Sequence, residues 1–363
     1  MTTATINPTV AELRDRIREA AARTSALRIA GRGTWLDAGR AVDATETLST
    51  RELSGILEYV PGDLTLTARA GTTLAEIRDA TAAHNQWLAL DPHGTEDGTI
   101  GSTTATGSSG PLATHFGGPR DLVLGVEFVT GTCAVARGGG RVVKNVAGFD
   151  LTRLICGSWG TLGVVTEVTM RLHARPEADL SFAVQVDDVG KLRTMLRRLP
   201  FTPYACEVLN SALANDLLGH SATTALFRLG GNREAVAAQR ASLAELGPLA
   251  EIDAATWTKL RAADASSPIV FRLSNLPSEI ARTWSEASSV EGARIHASPA
   301  RGIVRVLAAS LHDASFVSTT IPERLPARLW PLFPARTGEL LSRVKTSFDP
   351  SNVLNPGILG WLA

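Results

Sequence analysis

From Arg141 to Thr166 the chain sets Gly148, Gly157, Gly160 and Gly163 ahead of the β-branched run Val164, Val165 and Thr166. The last three glycines recur at every third position, a spacing that denies a stable helix. It also lets main chain approach a flat or anionic ligand where any Cβ would clash. A chain built this way is expected to lay a large cofactor directly on its backbone.

At 363 residues the chain exceeds the size at which one core usually stops growing, so two domains, or one with a large insertion, are expected. A hydrophobic fraction of 44% and a charged fraction of 20% exclude a disordered or fibrous chain. Basic and acidic side chains balance at 36 each without a block of one sign, which argues against a nucleic-acid partner. Cys133, Cys156 and Cys206 are too scattered for a disulfide framework, a zinc site or an iron–sulfur ligand set, so a reducing cytoplasm is expected. The N-terminus has no apolar signal core, and Glu12, Asp15 and Glu19 among its arginines argue against a transit peptide. No apolar run has membrane-spanning length, so any membrane contact would be peripheral or made through a partner.

Periodicity predicts a helix from Thr9 to about Arg23 and a buried strand from Ala26 to Ala30 that ends in a glycine turn. It further predicts a helix from Thr50 to Tyr59, a turn at Pro61 to Asp63, a strand from Leu64 to Arg69 and a Thr72-capped helix to about His84. Residues 94–118 are dominated by Gly, Ser and Thr. They are either a linker or an ordered loop held by a ligand, and the strand Val123 to Thr130 that follows favours the loop. Beyond Arg175 a second α+β domain is expected, from alternating strand-like and helix-like segments that include Ser181 to Val186, Ala205 to Leu209, Thr223 to Gly230 and Ile303 to Ala309. Val189 to Leu199 and Arg233 to Leu246 belong to the same alternation. A helix from Leu340 to Phe348 then leads into turn chemistry that something must order.

Neither G-x-G-x-x-G nor a Walker motif occurs, which disfavours Rossmann and P-loop folds. The turn at Gly31, Arg32, Gly33 and Thr34 can form a backbone nest for a pyrophosphate or be an ordinary strand-to-loop turn. Gly98 to Gly107 offers hydroxyls and free amides that could wrap a diphosphate, or it is a polar surface loop. His93 and His115 flank it and read as structural or surface histidines, with no second ligand at metal spacing; no metal is expected. Arg120 and Asp121 suggest a local salt bridge, Lys144 is a phosphate contact or a solvated lysine, and Trp35, Trp87 and Trp159 fill cores or stack on a cofactor. No nucleophile or catalytic residue stands out.

Together these residues resemble the vanillyl-alcohol-oxidase-type flavoproteins, which carry the PCMH-type FAD-binding fold. The resemblance rests on the Gly31 turn, the Val60 to Leu74 strand and turn, Pro92 with Gly98 to Gly101, and Phe116-Gly117 with Arg120 to Gly125. It continues through Lys144 to Leu154, Gly157 to Glu167, and the tail Phe348 to Gly357. It is strong over roughly residues 26–176 and the tail, and within the family it is closest in pattern to flavin subunits of bacterial glycolate oxidase.

The resemblance implies an α+β chain: a PCMH-type FAD-binding domain of two α/β subdomains over 1–176, an α+β cap of antiparallel sheet plus helices over 177–330, and a segment over 331–363 returning to the FAD site. It implies that Gly31, Arg32, Gly33, Thr34 and Trp35, with Pro92 and the loop residues Gly98, Thr99, Ile100, Gly101, Ser102, Thr106 and Gly107, cradle the FAD pyrophosphate. Gly160, Thr161, Gly163, Val164 and Val165 would line the adenine half, and Asn355 would lie near the isoalloxazine. Where relatives carry a histidine for covalent attachment this chain has Arg32 and Thr34, which implies non-covalent FAD. The H-x-G-D-G-N-x-H metal stretch of related 2-hydroxy-acid dehydrogenases is missing, His173, His220, His296 and His312 stand isolated in sequence, and Phe149 replaces a usual tyrosine. The implied activity is oxidation of glycolate or a related 2-hydroxy acid, with electrons passed to a related flavin subunit and an iron–sulfur subunit of a glycolate oxidase-like complex. Such a complex would be cytoplasmic, touching the inner membrane only through partners. A stand-alone FAD-dependent oxidase and a non-catalytic scaffold subunit are the alternatives.

Overall fold

The computed structural model describes residues 9–140, 150–311, 320–333 and 338–360. The expectations for Lys144, Phe149 and His312 fall outside them. Thr9 caps helix α1 (Val10–Arg23) through a reciprocal capping box with Glu12, and the apolar stripe Leu13, Ile17 and Ala20 is buried against the parallel pair β1 (Leu27–Ala30) and β2 (Glu46–Ser49). Next come β3 (Ile56–Val60), β4 (Thr65–Arg69), α2 (Leu74–Ala82), β5 (Gln86–Trp87), α3 (Ile100–Thr106), α4 (Ala113–Phe116), α5 (Pro119–Leu122), β6 (Val123–Val129), β7 (Val135–Gly139), α6 (Leu151–Ile155), β8 (Val164–Arg171) and β9 (His173–Ala174). Five of these strands form an antiparallel sheet in the order β3-β4-β8-β6-β7.

Two expectations fail in this lobe. The segment expected as a Thr50 helix instead yields edge strand β3, antiparallel to β4; its exposed Ile56 and Leu57 mimic helical spacing because only one side of an edge strand is paired. The expected loop at 94–118 contains α3, capped by Thr99. Its small residues hide it from periodicity yet let it dock closely: a Cβ on Gly101 would lie 2.6 Å from the Ala70 Cβ and 2.7 Å from the Ala70 carbonyl oxygen.

The second lobe comprises β10 (Ala178–Gln185), α7 (Val189–Leu196), β11 (Ala205–Leu209), α8 (Ser211–Leu218), β12 (Thr224–Gly231), α9 (Arg233–Leu243), β13 (Ala250–Glu251), α10 (Ala255–Ala262), β14 (Ile269–Ser274), α11 (Ile280–Ser288), β15 (Arg294–Ser298), β16 (Ile303–Ala308) and β17 (Thr320–Arg324). Its eight-stranded antiparallel sheet runs β13-β10-β12-β11-β15-β16-β14-β17. Period-2 alternation decides its two faces. Val208, Phe271, Ile295, Val304 and Val306 pack under α7, α9 and α11. The alternate positions Glu207, Arg272, His296 and Arg305 therefore point the other way, toward the first lobe.

Helix α12 (Glu339–Phe348) and the tail return to the first lobe. Buried Asp349 accepts hydrogen bonds from Val353 N at 3.2 Å and Leu354 N at 2.8 Å and pairs with Lys345, whose Nζ also donates to Thr161 O at 2.9 Å. Asn355 then clips onto β1: its Oδ1 accepts from Ile29 N at 2.8 Å and its Nδ2 donates to Trp159 O at 2.7 Å.

Between the lobes, buried Asp91 accepts from Leu112 N with both oxygens at 3.2 Å. Burial pushes its pKa up to about 6 despite the opposing charges of Arg261 and Arg228. A raised carboxyl pKa favours the fold below the unfolded value of 3.8, and that contribution is lost as pH rises through about 6. The stability of Asp91→Asn relative to wild type should therefore increase between pH 5 and pH 8, by about 1.4 kcal/mol. Paired thermal melts check this, and a difference that does not change with pH refutes it. Asp349→Ala should cost about 3 kcal/mol, because it strands Lys345 and two buried N–H groups. Denaturant unfolding of Asp349→Ala beside Asp349→Asn, which keeps an acceptor and should lose less, measures it.

Candidate cofactor and acid-binding site

The glycine turns make a narrow pocket of about 70 Å³ lined by Gly31, Arg32, Gly33, Thr34, Trp35, Gly101, Ser102, Thr106, Gly160, Gly163, Val165 and Asn355. Gly160 sits at φ +70°, and a Cβ there would lie 3.1 Å from Asn355 Nδ2; on Gly31 it would lie 2.5 Å from Thr99 Oγ1. Main chain thus forms much of the wall. Trp35, Thr106 and Trp159 also line a second cavity of about 790 Å³, which includes Gly107, so the two spaces meet at the edge-on pair Trp35 and Trp159, whose ring centres are 6.1 Å apart.

Six sequence-derived positions line neither space and stand behind the wall. Thr99 caps α3, buried Ile100 and Val164 belong to the core, and Gly98 makes the turn before α3. Thr161 donates its hydroxyl to Ser158 O at 2.6 Å, and Pro92 is buried ahead of His93. Arg120 donates to Cys156 O instead of pairing with Asp121, which accepts from Gly118 N at 2.9 Å.

The larger cavity is a cleft between the lobes. One wall comes from Thr106 to Gly110, Gly118 to Asp121, Cys156 and Gly157; the other from Glu207, Arg272, His296, Ser298, Arg301, Arg305 and Glu323. Sequence reasoning missed this second wall. The signal was a charged or histidine side chain inside each of four strands, and strand register lines three of them up: Arg272 faces Arg305, and Arg305 faces His296.

Arg305 is buried and donates to both Asp264 and Glu323, with Nε to Asp264 Oδ2 at 3.0 Å. Burial alone would lower its pKa; the two carboxylates outweigh that and raise it. Burial would likewise raise Glu323, but Arg305 and Arg272 hold it below its ordinary value. His93, isolated in sequence, lies with its ring centre 5.6 Å from that of His296 and its Nδ1 3.8 Å from Asp264 Oδ2. Burial, then Arg305 and His296, push its pKa well down, so it is neutral at pH 7. His93, Asp264 and His296 each bring a ligand-type atom within 4.8 Å of the others. The guanidinium of Arg305 already holds that carboxylate, and we read the cluster as neutralised by a fixed cation.

The pair of spaces suits a dinucleotide cofactor. Within the two linings, Ser108 Oγ is buried without a hydrogen-bond partner among the described residues, and the glycine-built wall admits a ligand that touches backbone. Comparison with known proteins agrees. Residues 5–139 match the family described as FAD binding domain. Over 175 residues the chain is 40% identical to glycolate oxidase subunit GlcE of Escherichia coli, covering 48% of this chain and 50% of that one. It is 37% identical over 145 residues to a D-lactate dehydrogenase of Archaeoglobus fulgidus, covering 39% and 32%. The matched stretches thus span half or less of these relatives' lengths. Among solved structures, p-cresol methylhydroxylase superposes with a TM-score of 0.71 over 97% of this chain and 87% of that one at 16% identity, and alkyldihydroxyacetonephosphate synthase with 0.67 over 95% and 74% at 16% identity. Residues 5–139 are thus similar to the FAD binding domain family, the chain as a whole has the fold of these solved structures, and about half of it is similar in sequence to a glycolate oxidase subunit.

Proposed function

We propose that this chain is the FAD-binding subunit of a glycolate oxidase-like complex, taking part in oxidation of glycolate or a related 2-hydroxy acid. The observation that carries the proposal is the junction at Trp35 and Trp159. There a backbone-lined slot opens into a cleft whose far wall holds His296 among arginines and carboxylates. Gly31 to Thr34, Ser102, Gly160 and Asn355 would hold the cofactor, with Asn355 positioned by its bonds to Ile29 and Trp159. Bound FAD supplies two-electron redox chemistry at the cleft. Arg301, whose hydrogen bonds go to the neutral Ser109 and Gly110, suits a small acid, since guanidinium groups bind carboxylates with charge-assisted hydrogen bonds. Cys133, Cys156 and Cys206 are free thiols, and their scatter along the chain favours electrons leaving to a partner: a related flavin subunit and an iron–sulfur subunit.

With Arg32 and Thr34 in the first turn, the flavin is held without a covalent bond. The purified full chain should be yellow with about one FAD per chain, and acid precipitation should leave the flavin in the supernatant. Flavin retained in the pellet refutes non-covalent binding; a colourless chain that cannot be reconstituted with FAD refutes the flavoprotein reading. Tagging this chain in its native host should co-purify a second flavoprotein and a protein with iron–sulfur absorbance, whereas recovery of the chain alone counts against the complex.

A further inference from the structure

Resting on the flavoprotein reading, we infer that His296 is the base that takes the hydroxyl proton of a 2-hydroxy acid, with Glu207 as its positioning residue and Arg301 as the group that binds the acid's carboxylate. The chain would then oxidise substrate at its own flavin, which goes beyond relaying electrons for a partner.

His296 on β15 is 3% exposed and lines the cleft. Its Nδ1 lies 2.7 Å from Glu207 Oε2, and the other carboxylate oxygen, Oε1, accepts from the hydroxyl of Ser298. A carboxylate can only accept, so Nδ1 carries the hydrogen and Nε2 is the nitrogen left to exchange a proton with a ligand. Nε2 is buried and has no hydrogen-bond partner among the described residues. A fixed tautomer with a free basic nitrogen in a cavity is the arrangement a general base requires.

The cleft also sorts its arginines. Arg305 is held by Asp264 and Glu323, and Arg272 pairs with Glu323 at 3.1 Å. Arg301 forms no ion pair among the described residues. Its hydrogen bonds go to neutral groups, Ser109 Oγ at 3.1 Å and Gly110 O at 3.4 Å, so its charge is available to an incoming carboxylate. In the reaction the substrate O–H bond breaks and its proton passes to His296 Nε2. The Cα–H bond breaks with its electron pair leaving as hydride, for which FAD is the two-electron acceptor, and the alcohol carbon becomes the carbonyl of a 2-oxo acid.

The test uses the full chain loaded with FAD, titrated with oxalate as an unreactive acid and mixed anaerobically with glycolate or D-lactate. His296→Asn should keep its flavin and bind oxalate within about threefold of wild type, read from the flavin spectrum. Its flavin reduction should slow roughly a hundredfold to ten-thousandfold, the range for loss of a general base. Glu207→Gln should show a smaller loss of reduction with oxalate binding kept, and Arg301→Gln should weaken oxalate binding at least about tenfold, as loss of a charge-assisted contact does. Reduction of His296→Asn at the wild-type rate, or its loss of oxalate binding in step with reduction, overturns the assignment. So does a yellow wild-type chain that neither acid reduces. A colourless wild-type chain overturns the flavoprotein reading and takes this assignment with it.

Discussion

The cleft depends on one buried cation. Arg305 stands in the middle of an antiparallel sheet, where an unpaired charge would be untenable, and it is tolerated because Asp264 and Glu323 meet it from opposite sides. Arg272 also pairs with Glu323, so the two arginines and two carboxylates balance, and removing any one of them would leave a net charge of one. Such a pair contributes little net stability against an apolar replacement, so its consequence is geometric. It fixes the facing ends of β16, β17 and the turn after α10, and it keeps His93 neutral beside His296. Arg40, Arg120, Arg272, Arg301 and Arg305 stand around the cleft against Asp121, Glu207, Asp264 and Glu323, so the cleft carries no surplus of carboxylate.

The other wall is held by backbone. A slot lined by Gly31, Gly101 and Gly160 has few side chains to shape it, so its dimensions are set by what pins the strands and turns behind it. Asn355 and Asp349 do this from the far end of the sequence: one bridges β1 to the Trp159 turn, the other ties α12 to its own tail while Lys345 reaches Thr161. Asn355 lines the slot, and because its amide bonds to backbone on both sides it also holds the slot's two sides together.

How much of this was legible follows from what each residue had to do. The slot could be read because backbone approach demands glycine, and glycine is visible in a sequence. Helix α3 could not, because its packing against Ala70 demanded small residues and erased the apolar stripe that marks a helix. Edge strand β3 was misread for the reverse reason, since its exposed apolar residues fell at helical spacing. The second wall was invisible as a site: Glu207, Arg272, His296 and Arg305 come from four strands spread over about a hundred residues, and only strand pairing brings them together. His296 looked isolated because isolation along the chain says nothing about neighbours across a sheet.

The two walls belong to different lobes, so the usefulness of the cleft rests on how firmly the lobes are joined. The joints are hydrogen bonds scattered round the rim: Gly39 N to Glu323 O at 2.7 Å, Gly94 N to Arg261 O at 2.9 Å, His115 Nδ1 with Thr202 O at 3.0 Å, and Arg301 to Ser109. Most involve backbone on at least one side, which leaves little rotamer freedom to absorb a shift. Glu323 uses its carbonyl to hold Gly39 of the first lobe while its carboxylate holds Arg305. The residue that neutralises the buried cation is thus also the one that sets the distance across the cleft. Reacting groups contributed by separate lobes can be preorganised only if such couplings exist, because an error of about 1 Å in their approach costs on the order of a hundredfold in rate.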